Sequence, residues 1–326
     1  MQVPVPLFDA HCDTITAAMK KGEGLWKNSL HLDLERLLAY SPCAQVFAIF
    51  TRPEEDSAGG AWDFDRPDAP AKLLYGLYQK AAGYLLEEFD KNGDILMHCL
   101  TADDVRQARR ENKIAAFISV EGAELLACDL EKLREAYDLG VRLVNITWNY
   151  PNSLSGTAMS SNNGGLTEKG RAFVRGAQEM GVILDMSHIS EAAFWDTLDI
   201  ASRPVLASHS NSKTLCPHPR NLSDDQFVVL VKLGGAAGLN LCPDFLGLGR
   251  DAVAVVEHAE HFLALGGEKA VCLGADLDGI DELPEGIRGV EHMGKIYEAM
   301  LRRNYNEDLV RDIFYNNLLG VFERAL

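Results

Sequence analysis

Short apolar runs recur along the 326-residue chain, and each ends in a polar or ionisable residue. They occupy 7–13, 43–51, 114–121, 141–148, 182–188, 205–209, 236–242 and 271–276. Near-continuous apolar runs of this length suit strands covered on both faces, as in a parallel sheet. Helical patterns lie between them. The stretch 72–89 sets Leu73, Leu77, Ala81, Tyr84 and Leu85 at 3.6-residue spacing. Thr167 is placed to cap a helix that stops at Gly181, Ser190 to open the next, and Ser223 to cap one ending near Gly234. A further helix reads over 251–265. Asn306 caps the last one, with Leu309, Ile313, Phe314, Leu318 and Phe322 along one face. Eight strands alternating with helices predict an α/β fold, a barrel or a doubly wound sheet.

Three segments break the repeat: a polar loop over 52–70, an extra strand and helix over 94–112 before the third barrel strand, and an Asn/Ser/Gly-rich loop over 149–165. Loops this long are uncommon unless functional, and two of them follow strand C-terminal ends, where barrel active sites lie. The length suits a barrel with insertions, so 1–326 is read as one (β/α)8 catalytic domain.

A net charge of −17, from 31 basic and 48 acidic residues, excludes the clustered cations that nucleic-acid binding needs and favours cation retention. The seven cysteines form no C-x-x-C pair and mostly sit in apolar runs, so they read as reduced, buried thiols. With no basic-then-apolar leader at the N-terminus and no run of about 18 apolar residues, the expectation is a cytoplasmic protein without a membrane partner.

Candidate chemistry sits at the strand ends. His11 and Asp13 close the first strand as His-x-Asp, and residues i and i+2 share a face. Glu121 closes the third, His188 the fifth, His209 the sixth and Asp276 the eighth. Any one of these alone reads as well as a satisfied structural residue. Three imidazoles and three carboxylates around one barrel mouth are a metal-site composition that suits zinc, because so many ionisable groups are costly to desolvate without an ion. Elsewhere, His258 and His261 read as a solvated helix edge, His31 as structural, Cys12 as facing the helix layer, and Asp9 as sharing the His11 face in a supporting role.

Several ordered motifs resemble the membrane (renal-type) dipeptidase family and its soluble bacterial members along nearly the whole chain. They are Asp9-Ala10-His11-Cys12-Asp13, Val120-Glu121-Gly122, Ile146-Thr147-Trp148-Asn149, Leu184-Asp185-Met186-Ser187-His188, Ser208-His209-Ser210, Arg220-Asn221, Gly274-Ala275-Asp276-Leu277-Asp278-Gly279 and Asn317-Leu318-Leu319-Gly320-Val321-Phe322. The resemblance implies a (β/α)8 barrel of the metal-dependent hydrolase type that cleaves dipeptides, L,D-dipeptides among them, with a zinc-activated hydroxide. It implies two Zn2+ per chain: His11 and Asp13 on one, His188 and His209 on the other, with Glu121 and a water or hydroxide bridging them. Asp276 would carry the proton and Arg220 would clamp the substrate carboxylate. The resemblance also admits a homodimer.

One position departs from the family. Where many members carry a histidine in contact with substrate, this chain has Trp148, an indole with one N–H and a large apolar face. The departure bears on substrate choice and keeps open a binuclear metal hydrolase of a modified amide or lactam. A metal-retaining barrel without catalysis is the third reading, and the complete set of ligands together with Asp276 weighs against it.

Overall fold

The structure, a computed structural model, describes residues 4–51 and 71–326. The polar loop over 52–70 lies outside the described residues. The apolar runs form parallel strands: β1 (Leu7–Cys12), β2 (Cys43–Ile49), β3 (Leu96–His98), β4 (Ile114–Val120), β5 (Val141–Asn145), β6 (Ile183–Asp185), β7 (Leu206–Ala207), β8 (Ala236–Leu239) and β9 (Val271–Leu273). Eight of them close a barrel in the order β1, β2, β4, β5, β6, β7, β8, β9 and back to β1. This is the expected (β/α)8 barrel. Among the described residues the extra strand, β3, pairs only with the start of β4, from Leu96 opposite Ile114, and a helix at Ala102–Arg110 follows it. It is the small insertion expected before the third barrel strand.

Alternation along the strands separates two apolar layers. Phe8, Val46, Phe117, Leu143, Ile183, Leu206, Ala236 and Cys272, one from each barrel strand, pack in one cluster with the C-terminal helix. Leu7, Phe47, Ile118, Val144, Leu184, Ala237 and Val271 pack in the other, against the surrounding helices. The C-terminal helix (Asn317–Ala325) closes the end of the barrel where the strands begin: the Phe322 ring lies 4.4 Å from that of Phe117 and 5.2 Å from that of Phe8.

The caps read from sequence hold these helices. Thr167 accepts from the Gly170 N–H, Ser190 from Ala193, Ser223 from Gln226, and Asn306 from Asp308. Asp251 adds a cap that the sequence reading did not assign, accepting from Val253 and Ala254. Two helical expectations shift. In Ala71–Lys91 the buried stripe runs through Leu74, Tyr78 and Leu85, leaving Leu73 exposed. The last helix carries a π-helical turn at Asp312–Asn316, which periodicity alone does not reveal.

The strand alternation is also reset once. Between Asp9 and Cys12, β1 runs three residues against two on β2, a β-bulge. Below it Phe8 and Ala10 pack in the barrel interior, while above it Cys12 packs in the helix layer, as expected for that residue. Asp9 therefore does not share the His11 face as strict alternation suggests. Its carboxylate accepts from the Ala275 N–H at 2.7 Å and from Gln45 Nε2 at 2.9 Å. His258 is also corrected. It is buried rather than a solvated edge, because its Nδ1 accepts from the Ser212 N–H at 3.0 Å and so ties its helix to the loop after β7.

No helix among the described residues is long and apolar enough to cross a membrane. All seven cysteines are free, and six are buried.

Because Phe322 joins both ends of the interior aromatic cluster, Phe322→Ala should lower stability by about 3–5 kcal/mol. Chemical denaturation measures this directly. A change below about 1 kcal/mol would show that the helix does not seal the barrel.

Candidate functional site

The expected site residues come together at one barrel mouth, most of them just past the strands. Asp13 and Glu121 follow β1 and β4 by one residue, His209 follows β7 by two, and His188 and Asp276 follow β6 and β9 by three. Short loops, rather than the strands, set these side chains. His188 (φ 74°) and Asp276 (φ 59°) adopt the left-handed conformation that residues other than glycine rarely take. At Gly279 a Cβ would overlap the carboxylates of Asp13 and Asp276, so only glycine lets that loop pass so close.

Glu121 lies at the centre. Its Oε2 is 3.5 Å from His11 Nε2, and its Oε1 is 2.8 Å from His188 Nε2 and 3.6 Å from His209 Nε2. His11 Nε2 is also 3.5 Å from Asp13 Oδ2 and 3.9 Å from Asp276 Oδ1. All six groups are buried.

Three supporting contacts escaped the sequence reading. His188 Nδ1 donates to Asn149 Oδ1 at 2.7 Å. Ser208 donates its hydroxyl to Asp185 and accepts from His209 Nδ1 at 2.7 Å. These bonds put the ring proton on Nδ1 of both histidines, so both Nε2 lone pairs face inward. Asn240 Nδ2 donates to Asp276 Oδ2 at 2.9 Å and leaves Oδ1 toward His11. Asn149 and Asp185 lie inside motifs with other notable residues, but nothing in their spacing marks them as orienting groups.

Inward lone pairs on His188 and His209 therefore meet a Glu121 oxygen with no ring proton between them. Acceptors packed in this way repel unless a cation sits among them. His11 Nδ1 and Nε2 and Asp13 Oδ1 likewise lack a hydrogen-bond partner among the described residues. Donor atoms of His11, Asp13 and Glu121 form one compact group, and those of Glu121, His188 and His209 form another, with Glu121 common to both. Two ligands about 2.1 Å from one tetrahedral ion stand about 3.4 Å apart, close to most of the spacings here. The residues fit metal binding.

Electrostatics show the same need for positive charge. Burial lowers His188 and His209 well below the usual imidazole range, with Arg220 and His11 adding to the effect. Burial also lowers His11, but the Glu121 and Asp13 carboxylates outweigh it and hold its imidazole well above that range. Burial first, then Asp13, pushes Glu121 up to about 8, and burial also raises Asp276.

A pocket of about 410 Å3 opens over the cluster. Asp13, Glu121, His188 and Asp276 form its floor, and Arg220, Phe245, Phe50 and Trp148 stand around it. Arg220 is buried, 5.4 Å over the Phe245 ring, and its Nε and Nη2 have no partner among the described residues. Trp148 is half-buried beside Phe50. His31 stays apart from the cluster and holds Asp278, whose backbone N–H donates to its Nδ1 at 3.1 Å.

A family model described as membrane dipeptidase (peptidase family M19) matches residues 1–325. An uncharacterised protein in the pqqA 5′ region of Klebsiella pneumoniae is 31% identical over 239 residues, 70% of this chain and 88% of that protein. A metallopeptidase from Rhodobacter sphaeroides, solved with a phosphinate mimic of the dipeptide L-Ala-D-Ala, superposes with a TM-score of 0.89 at 27% identity, covering 99% of this chain and 100% of that one. The dipeptidase AC, a metallopeptidase of family M19, gives 0.88 at 28% identity over 99% of both chains.

The shifted groups give the metal-free protein a pH dependence. Between about pH 6.5 and pH 8, His188 and His209 are neutral whether the chain is folded or not. Across the same window the folded protein keeps on the buried His11–Glu121 pair a proton that the unfolded chain has released. The folded state then binds more protons, so stability should fall as pH rises through this window. Thermal unfolding of chelator-treated protein at pH 6.5 and 8 measures it, and a rising melting temperature would contradict the assignment.

Proposed function

The chain belongs to the membrane dipeptidase family, and on that premise we propose that it cleaves the peptide bond of dipeptides with two zinc ions at the barrel mouth. The observation that carries this reading is the convergence of the His188 and His209 lone pairs on Glu121 Oε1, beside the second group formed by His11, Asp13 and Glu121 Oε2. In this reading His11 and Asp13 would hold one ion and His188 and His209 the other, with Glu121 available to both. Zinc bound there would supply positive charge to polarise the scissile carbonyl and would let water lose a proton near neutral pH.

The chain's own residues supply the rest. Asp276 Oδ1 is the free oxygen of a carboxylate whose Oδ2 Asn240 already holds. Burial raises its affinity for a proton, so it can take one from the attacking water and return it to the leaving amine. Arg220 offers Nε and Nη2 to the substrate's terminal carboxylate, a planar two-pronged match. A carboxylate clamp at a fixed distance from the cluster favours two-residue substrates. Trp148 borders the bound substrate. The Rhodobacter sphaeroides relative, solved with a mimic of L-Ala-D-Ala, supports including L,D-dipeptides among the substrates.

Asp276→Asn should lower kcat by about 10²–10⁴ while elemental analysis still finds two metal ions per chain. Wild-type turnover in that variant would remove Asp276 from the chemistry. Replacing a dipeptide's terminal carboxylate by an amide should lower kcat/KM about 10- to 100-fold, and Arg220→Met should erase the difference between the two substrates. Equal rates on acid and amide with the wild-type enzyme would exclude the clamp.

A further inference from the structure

Phe50 and Trp148 make a continuous aromatic wall along one side of the pocket, with ring centroids 4.5 Å apart. The Tyr150 ring packs 5.2 Å from that of Trp148. The wall is anchored through its backbone. The Trp148 backbone N–H donates to the half-buried Glu124 carboxylate, which also accepts from Asn152 Nδ2 at 2.8 Å. The Trp148 carbonyl accepts from Thr157 Oγ1 at 2.6 Å, and the Phe50 carbonyl accepts from Thr16. An apolar surface held this firmly loses little freedom when a side chain packs on it.

Its position around the barrel decides what it faces. Phe50 follows β2 and Trp148 follows β5, flanking Glu121 at the end of β4. Arg220 comes from the loop after β7 and Phe245 from the short helix Pro243–Leu246 after β8, on the other side of the mouth. A dipeptide whose terminal carboxylate sits on Arg220, with its amide over the cluster, directs its first residue toward Phe50 and Trp148. Lys20 is the one cation among the described residues lining this pocket besides Arg220, and it is exposed at the rim.

We infer that the wall is a specificity site for the first residue of the substrate, selecting dipeptides that begin with an aromatic or bulky apolar side chain. The inference rests on the dipeptidase reading above and adds to it the side-chain class and its position. A flat ring on the Phe50–Trp148 surface gains both apolar burial and ring–ring contact, whereas a methyl group reaches little of it.

The test is kcat/KM for the zinc-loaded enzyme on Phe-Ala, Ala-Phe, Ala-Ala and Asp-Ala. Phe-Ala should exceed Ala-Ala by at least about tenfold, and Ala-Phe should gain much less. Trp148→Ala should collapse the Phe-Ala to Ala-Ala ratio toward one, whatever it does to either rate, and Trp148→Phe should keep most of it. Equal rates on Phe-Ala and Ala-Ala, a preference confined to the second residue, or a preference for Asp-Ala would each overturn the inference while leaving a dipeptidase. Failure to cleave any of the four would instead count against the dipeptidase reading itself.

Discussion

Three acceptors meet at the centre of this molecule with no ring proton among them. Glu121 Oε1 faces His188 Nε2 at 2.8 Å and His209 Nε2 at 3.6 Å, and the two ring nitrogens are 2.9 Å apart. Each ring's own proton is committed on the far side, to Asn149 and to the Ser208–Asp185 pair. The arrangement is repulsive in the absence of positive charge and favourable around a cation. Much of the surrounding structure serves to keep these atoms where repulsion would otherwise part them.

That task explains features with no advantage for stability. His188 and Asp276 hold left-handed backbone, and Gly279 clears space for two carboxylates to approach. Strain of this kind persists only where the surroundings over-determine it. Here they do: Asn240 bonds Asp276, Asn211 and the carbonyl of His209 together, and His258 pins the loop after β7 from behind. The apolar interior, with Phe8, Phe117 and Phe322, lies at the other end of the barrel and supplies packing without entering the site.

The mouth divides into two unlike sides. Arg220, over Phe245, presents a buried cation whose Nε and Nη2 have no partner among the described residues, and Phe50 with Trp148 presents an apolar plane. A small zwitterionic peptide laid across the cluster meets charge at one end and surface at the other. Trp148, at the position where the family resemblance implies a histidine, shapes that second side and lies apart from the groups that fit metal binding.

The chain's pattern alone determined the eight strands, their alternation with helices, the caps at Thr167, Ser190, Ser223 and Asn306, and the gathering of His11, Asp13, Glu121, His188, His209 and Asp276 at one mouth. These follow from local rules: side-chain period, capping chemistry, and the fact that all strand ends of a parallel barrel point the same way. The bulge in β1, the burial of His258, and the orienting roles of Asn149, Ser208, Asp185 and Asn240 emerged only in the tertiary structure. Each depends on contacts between residues up to tens of positions apart, between strands whose relative register no local pattern specifies. The side of the mouth that Trp148 occupies was decided in the same way, by the order in which the strands close the barrel.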